Sequence, residues 1–265
     1  MCGDEPREGA ILRMKTRRLT GALASFIAAA VLAACASTGP SPFQESEAHY
    51  DIGMGRMASG DDRAALFELN KAVEENPDNM NAHFALGYIY IRQSKLDQAI
   101  VELKKAVALD PKFPDAHNDL GLAYAKKKRY EAAIREFKAA SELPLPRSRV
   151  TALINMGETY DRMGNTEQAA QSFREALLAQ PENGLAMSDL ASEYVRMNKP
   201  AEAAGWYEKL LRANPGSAGA HYELGKIYFK LGRNADALAN FQKAAALAPG
   251  TAAAADSEKY IKLLK

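Results

Sequence analysis

Residues 80–113 read MNAHFALGYIYIRQSKLDQAIVELKKAVALDPKF, and the architecture follows from this phrase. Its first half carries His83, Leu86, Gly87 and Tyr90; its second carries Ala99, Leu103, Ala106 and Pro111. The first set recurs at the same spacing as His117, Leu120, Gly121, Tyr124, then Leu153, Met156, Gly157, Tyr160. It continues as Met187, Leu190, Ala191, Tyr194 and as His221, Leu224, Gly225, Tyr228. The second set recurs as Ala65, Leu69, Ala72, Pro77, as Ala169, Phe173, Ala176, Pro181, and as Ala237, Phe241, Ala244, Pro249. A degenerate first copy opens on His49, Ile52 and Gly53, with Arg56 in the tyrosine's place. The third copy has Leu145 where proline belongs, and the fifth has Leu210 for alanine.

A fixed period settles architecture before any local propensity does. Apolar residues at helical spacing give each helix one buried stripe. The small residue lets two helices approach and the aromatic fills the gap, while the proline ends the second helix. One helix pair cannot bury both faces, so neighbours must stack. The sequence therefore predicts an all-α solenoid of six helix-turn-helix units at 46–79, 80–113, 114–149, 150–183, 184–217 and 218–251. Residues 252–265 are predicted to form a capping helix with Tyr260, Ile261 and Leu264 on its covered side.

The phrase resembles the tetratricopeptide (TPR) repeat, over about three quarters of the chain. That resemblance implies a right-handed solenoid whose first helices line a concave groove. It points the second, fifth, ninth, twelfth and thirteenth places of each unit into that groove. The candidate binding residues are then Asn81, Phe84, Tyr88, Ile91 and Arg92 in the second unit, and Asn118 and Lys126 in the third. Arg162 and Arg196 follow in the fourth and fifth, with Tyr222, Lys226, Phe229 and Lys230 in the sixth. Aromatic patches at both ends suit an extended or helical peptide with apolar anchors. The basic thirteenth places could form a ladder for partner carboxylates. The preferred reading places them as last-turn cations favoured by the helix dipole, because that effect applies to every unit alike. The carboxylate clamp of chaperone-binding TPR domains is incomplete, since Phe84 and Tyr88 stand where it needs polar groups.

The N-terminus is expected to be a targeting segment. Lys15, Arg17 and Arg18 precede an Ala-rich apolar run, Leu23 to Ala34, too short for a membrane-spanning helix. Leu32-Ala33-Ala34-Cys35 resembles the bacterial lipobox, which implies cleavage before Cys35 and lipid on its sulfur. Residues 1–34 are thus expected to be a lipoprotein signal peptide, with translation beginning at Met14 because Asp4, Glu5 and Glu8 oppose export. Residues 35–45 are expected to be the lipidated cysteine and a flexible tether, and the residues after Cys35 favour outer-membrane sorting. The whole chain carries a formal charge of +1, which gives no support for a nucleic-acid partner.

All four histidines, His49, His83, His117 and His221, fall on the fourth place of a unit, so a packing role is expected and no metal site. The third-to-fourth junction is longer than the period, through Glu142-Leu143-Pro144-Leu145-Pro146-Arg147-Ser148, and is expected to be a lengthened loop. Gly53 and Gly55 superficially match a dinucleotide fingerprint but lie inside a helical repeat with no preceding strand. No catalytic motif or cofactor site is expected. Lipobox, tether and six units together resemble the pilotin family of type IV pili, which implies a periplasmic, outer-membrane-anchored scaffold binding a protein such as the secretin. The alternatives are an adaptor for peptidoglycan-remodelling or other envelope machinery and, from another class, an enzyme subunit.

Overall fold

The computed structural model describes residues 39–265, so the signal peptide, the Met14 start and Cys35 lie outside the described residues. Among the described residues there are thirteen helices and no strand. They are α1 (Pro42–Ala58), α2 (Asp62–Glu75), α3 (Met80–Arg92), α4 (Leu96–Leu109), α5 (Pro114–Lys126), α6 (Tyr130–Glu142) and α7 (Pro146–Arg162). They continue as α8 (Thr166–Ala179), α9 (Gly184–Arg196), α10 (Pro200–Ala213), α11 (Ala218–Lys230), α12 (Asn234–Leu247) and α13 (Ala252–Leu264). Odd-numbered helices α1 to α11 are the first members of six pairs, and α13 stands alone against α11 and α12.

Each pair is locked at one point. A Cβ added to Gly121 would lie 2.6 Å from the Phe137 ring, and one added to Gly157 2.6 Å from Phe173. Gly87 faces Leu103, Gly53 faces Leu69 and Gly225 faces Phe241 in the same way. The fifth pair uses Ala191 and Tyr207, both buried. This is why the small residue and the bulky one recur together.

The turn inside each pair is equally periodic. The residue after the first helix's cap has positive φ in every unit: Gly60, Ser94, Lys128, Gly164, Asn198 and Gly232. The next N–H closes back on the first helix, as in Lys95 N to Tyr90 O at 2.9 Å and Arg233 N to Tyr228 O at 2.9 Å. This is the Schellman closure, which satisfies otherwise orphaned helix-end carbonyls. Entry to the first helices is set by Ser41, Asn79, Asn183 and Ser217, whose side chains accept backbone N–H bonds, or by Pro114 and Pro146 at the first turn.

Two expectations are corrected. The tether does not extend to residue 45: Ser41 and Gln44 form a reciprocal capping box, so α1 begins at Pro42. The third-to-fourth junction is not a long loop. Pro146 sits in the first turn of α7, where a missing N–H costs nothing, and α7 runs to 17 residues against 13 for α5 and α9. The surplus residues became a helical turn.

The histidines bind the units together. His83 Nδ1 lies 2.6 Å from Glu102 Oε2, and its Nε2 lies 2.9 Å from the Pro77 carbonyl. His117 repeats this with Glu136 at 2.8 Å and Pro111 at 3.2 Å. His221 uses Asn240 at 2.8 Å and Pro215 at 3.1 Å, and His49 reaches Glu68 at 2.7 Å. Each of the three units that carry both bonds, the second, third and sixth, ties its own second helix to the loop of the preceding unit.

Candidate functional site

The first helices of four successive units open onto one cavity of about 480 Å³. Tyr50, Met54 and Met57 of α1 and Phe84, Ala85 and Tyr88 of α3 make its apolar wall. Asp115, Asn118 and Asp119 of α5 and Arg147, Ser148 and Thr151 of α7 make its polar wall. The additional turn of α7 is what completes that wall. Ser148 Oγ donates to Asp115 Oδ1 at 2.8 Å, and Asn118 Nδ2 donates to the Ser148 carbonyl at 3.1 Å. The departure from the period therefore builds the groove.

Tyr88 is 41% exposed at the mouth of this cavity, with the Arg92 guanidinium 6.0 Å from its ring centroid. Phe84 is half-buried and packs its ring 4.8 Å from Phe113. Asn118 is buried, and its Oδ1 has no hydrogen-bond partner among the described residues. A buried acceptor without a donor is costly, and a peptide N–H entering the groove would satisfy it. Tyr50, Met54 and Met57 of the degenerate first unit lie outside the set of residues expected from the sequence. They occupy its fifth, ninth and twelfth places, so the groove register applied to that unit would have found them.

The remaining candidates fall elsewhere. Asn81 is exposed and Ile91 is half-buried against the core of the second and third units. Tyr222, Lys226 and Phe229 do not form a free aromatic end. Tyr260 of α13 lies 5.3 Å from Phe229 and stacks on Phe241 at 4.5 Å, while Tyr222 packs 6.2 Å from Phe241. Lys226 Nζ is engaged by Glu223 at 2.8 Å. The sixth unit's aromatics thus pack against α13.

The basic thirteenth places are not an open ladder either. Arg92 pairs with Asp62 of the preceding unit at 3.2 Å, Arg196 pairs with Asp161 of the preceding unit, and Lys230 donates to Asn198 of the preceding unit at 2.8 Å. Arg162 reaches Glu158 of its own helix at 3.5 Å, and Lys126 is exposed. Several of these cations join neighbouring units, and each exposed pair contributes little to stability.

Asp119, which lines the groove, and His117, two residues before it on α5, are both shifted upward. Burial, and then the charge of Asp115, push Asp119 up to about 7. The hydrogen bond that His117 Nδ1 donates to the Glu136 carboxylate, aided by the Pro111 carbonyl, raises His117 against the opposing effect of burial. Raised folded-state values mean that the folded chain holds more protons than the unfolded one. For Asp119 the stability is full below the ordinary carboxylate range and is lost as pH rises toward 7. For His117 it is full below the ordinary histidine value and is lost as pH climbs through the raised one. The melting midpoint is therefore expected to fall between pH ~5.5 and ~8, and Asp119→Asn to flatten the slope. Thermal denaturation followed by circular dichroism across that range checks it; a midpoint rising with pH would contradict it.

Among the described residues no group of three or more His, Cys, Asp or Glu side chains could hold a metal ion. No helix among them is long and apolar enough to cross a membrane. What the arrangement can do is bind an extended segment along stacked helices.

Comparisons agree with the geometry. Four tetratricopeptide-repeat family models match residues 68–101, 87–128, 114–182 and 188–252. No curated protein matches the chain. Among solved structures, PilF of Pseudomonas aeruginosa is similar at 21% identity and a TM-score of 0.68, covering 83% of this chain and 99% of PilF. PilW, a widely conserved type IV pilus biogenesis factor, matches at 21% identity and a TM-score of 0.68, covering 80% of this chain and 98% of PilW. YrrB, a TPR protein with an unusual peptide-binding site, matches at 20% identity and a TM-score of 0.59, covering 72% of this chain and 97% of YrrB. These likenesses concern the fold. With the repeat models spanning most of the six units, the chain belongs to the tetratricopeptide-repeat family.

Proposed function

We propose that this chain is a lipid-anchored periplasmic scaffold of the outer membrane that docks a protein partner in its concave groove and serves type IV pilus assembly as a pilotin. The partner in that reading is the secretin. The observation that carries the docking function is Tyr88, exposed at the lip of an apolar cavity built by four separate helices. An exposed aromatic beside methionines does not help the fold, and a large apolar cavity open to water marks an interaction site. Aromatic anchors in such pockets dominate binding energies. The pilus assignment is supported by the likeness to PilF and PilW over nearly their whole lengths.

Tyr88→Ala is expected to weaken binding of the purified secretin by about 2 kcal/mol, near thirtyfold in Kd, with the melting midpoint unchanged. Titration calorimetry and a thermal melt decide it. A lowered midpoint with unaltered affinity would reduce Tyr88 to a packing residue. The anchor is tested separately: Cys35→Ser is expected to release the protein from the outer-membrane fraction, and mass spectrometry finding mature Cys35 unmodified would overturn it.

A further inference from the structure

A second cleft, of about 340 Å³, opens on the same face between α7 and α9. Its chemistry is the opposite of the first. Glu158 and Asp161 face it from α7, and Asp189 and Glu193 from α9. Arg162 and Arg196 are the cations that line it, so four carboxylates meet two guanidiniums. α8 contributes only Phe173, which is buried and forms the floor.

Glu193 is the unusual residue. It is 2% exposed, yet its Oε2 has no hydrogen-bond partner among the described residues. Its Oε1 has Arg196 Nη1 at 3.9 Å, a guanidinium already held by Asp161, and the Asp161 carboxylate lies beside the same carboxyl as an acceptor. Asp189 Oδ2 is likewise buried and unpartnered. Burial, then Asp161, push Glu193 up to about 7 against the pull of Arg196; burial, then Glu158 and Asp161, push Asp189 up to about 6. Each acid keeps one buried oxygen without a donor, which costs stability that a folding role does not repay. A donor from outside would.

We propose that this cleft is a subsite for a cationic side chain, lysine or arginine, of the segment docked in the groove. Charge complementarity selects the occupant: the surplus carboxylates favour a cation and reject an acidic segment. The site suits a long basic side chain in particular. Leu185 is 55% exposed at its rim and Phe173 closes its base, so a methylene stem finds apolar contact while its charged end reaches Glu193 and Asp189. A divalent metal fits less well, because no three of the acids among the described residues are arranged to hold one. The docked segment then carries an apolar anchor for the first cavity and a basic residue for the second.

This proposal deepens the docking function and rests on it. Its test is independent of Tyr88, so failure of either subsite is visible alone. The probes are capped tripeptides, acetyl-Ala-X-Ala-amide, with X lysine, arginine, norleucine or glutamate, titrated into the isotope-labelled full chain and followed by NMR. Lysine and arginine are expected to shift amides of 158–162 and 185–196, with affinity about tenfold above norleucine and no response to glutamate. Binding is expected to weaken between pH ~8 and ~5.5, because the acids must be ionised to hold the cation. Glu193→Gln combined with Asp189→Asn is expected to lose the preference while folding at least as well, since it removes buried charge. Norleucine binding as tightly as lysine, shifts mapping elsewhere, or an unchanged preference in the double variant would each overturn the proposal. The norleucine and pH comparisons use the unmutated chain, so they decide the matter whatever the variant does.

Discussion

Phe137→Ala is expected to destabilise the protein by about 3–5 kcal/mol, the range for removing a fully buried phenylalanine. Phe137 is 1% exposed, and its ring fills the notch left by Gly121 on the facing helix. Nothing adjacent can take its place. The notch belongs to backbone, and the flanking Ala133 and Ala140 are buried without reach. The position is central in the array, so its loss also weakens the coupling between the first two units and the last three. Solenoid stability is a sum of unit and interface contributions, and damage in the middle divides the array where damage at an end only shortens it. Chemical denaturation should show a lowered midpoint and a broadened or two-step transition. A single transition shifted by less than about 1 kcal/mol would mean that the third unit can collapse around the cavity. Phe137→Leu is the informative companion, because Gly53 and Gly87 already face leucines in the units before it. It should recover much of the loss.

Deleting 252–265 is expected to be as severe, by a different route. α13 covers the last open face with Tyr260, Ile261 and Leu264, all packed against the core of the preceding units. Tyr260 lies nearly parallel to Phe241, with 4° between the rings, and meets Phe229 edge-on. Without it, Tyr222, Phe229 and Phe241 form a contiguous aromatic surface at the end of the stack, and terminal units with an apolar outer face aggregate. The truncated chain should sediment as oligomers and bind a hydrophobic dye, and its last unit should lose amide protection first. A monomeric truncation with an unaltered melt would show that α13 contributes no cover. Tyr260→Ser tests the same contact more gently, by removing the stacked ring and leaving the helix.

The repeat architecture was legible in the residues alone, because its signals are local and recur in phase. Gly121 with Phe137, and Gly157 with Phe173, announce a close helix contact through size alone. The place of each histidine announces packing, since copies one unit apart cannot converge on an ion. The apolar side of α13 was legible for the same reason, from spacing along one helix. Properties that depend on neighbours emerge only once the units are stacked. Pro144 and Pro146 signal an interruption, but whether the surplus residues form a loop or a helical turn depends on whether Pro146 lands in a first turn and whether Ser148 finds Asp115 across the groove. The same register place holds Tyr88 open to water and Lys226 against its own Glu223 beside the cap, so a repeat rule cannot tell a docking surface from a covered end. Asp119, Asp189 and Glu193 lie off the groove register altogether. Ordinary surface acids by sequence, they become perturbed groups only because the neighbouring first helix removes their water. Periodicity fixes which atoms a unit presents, while desolvation and partnership are set by the units stacked against it.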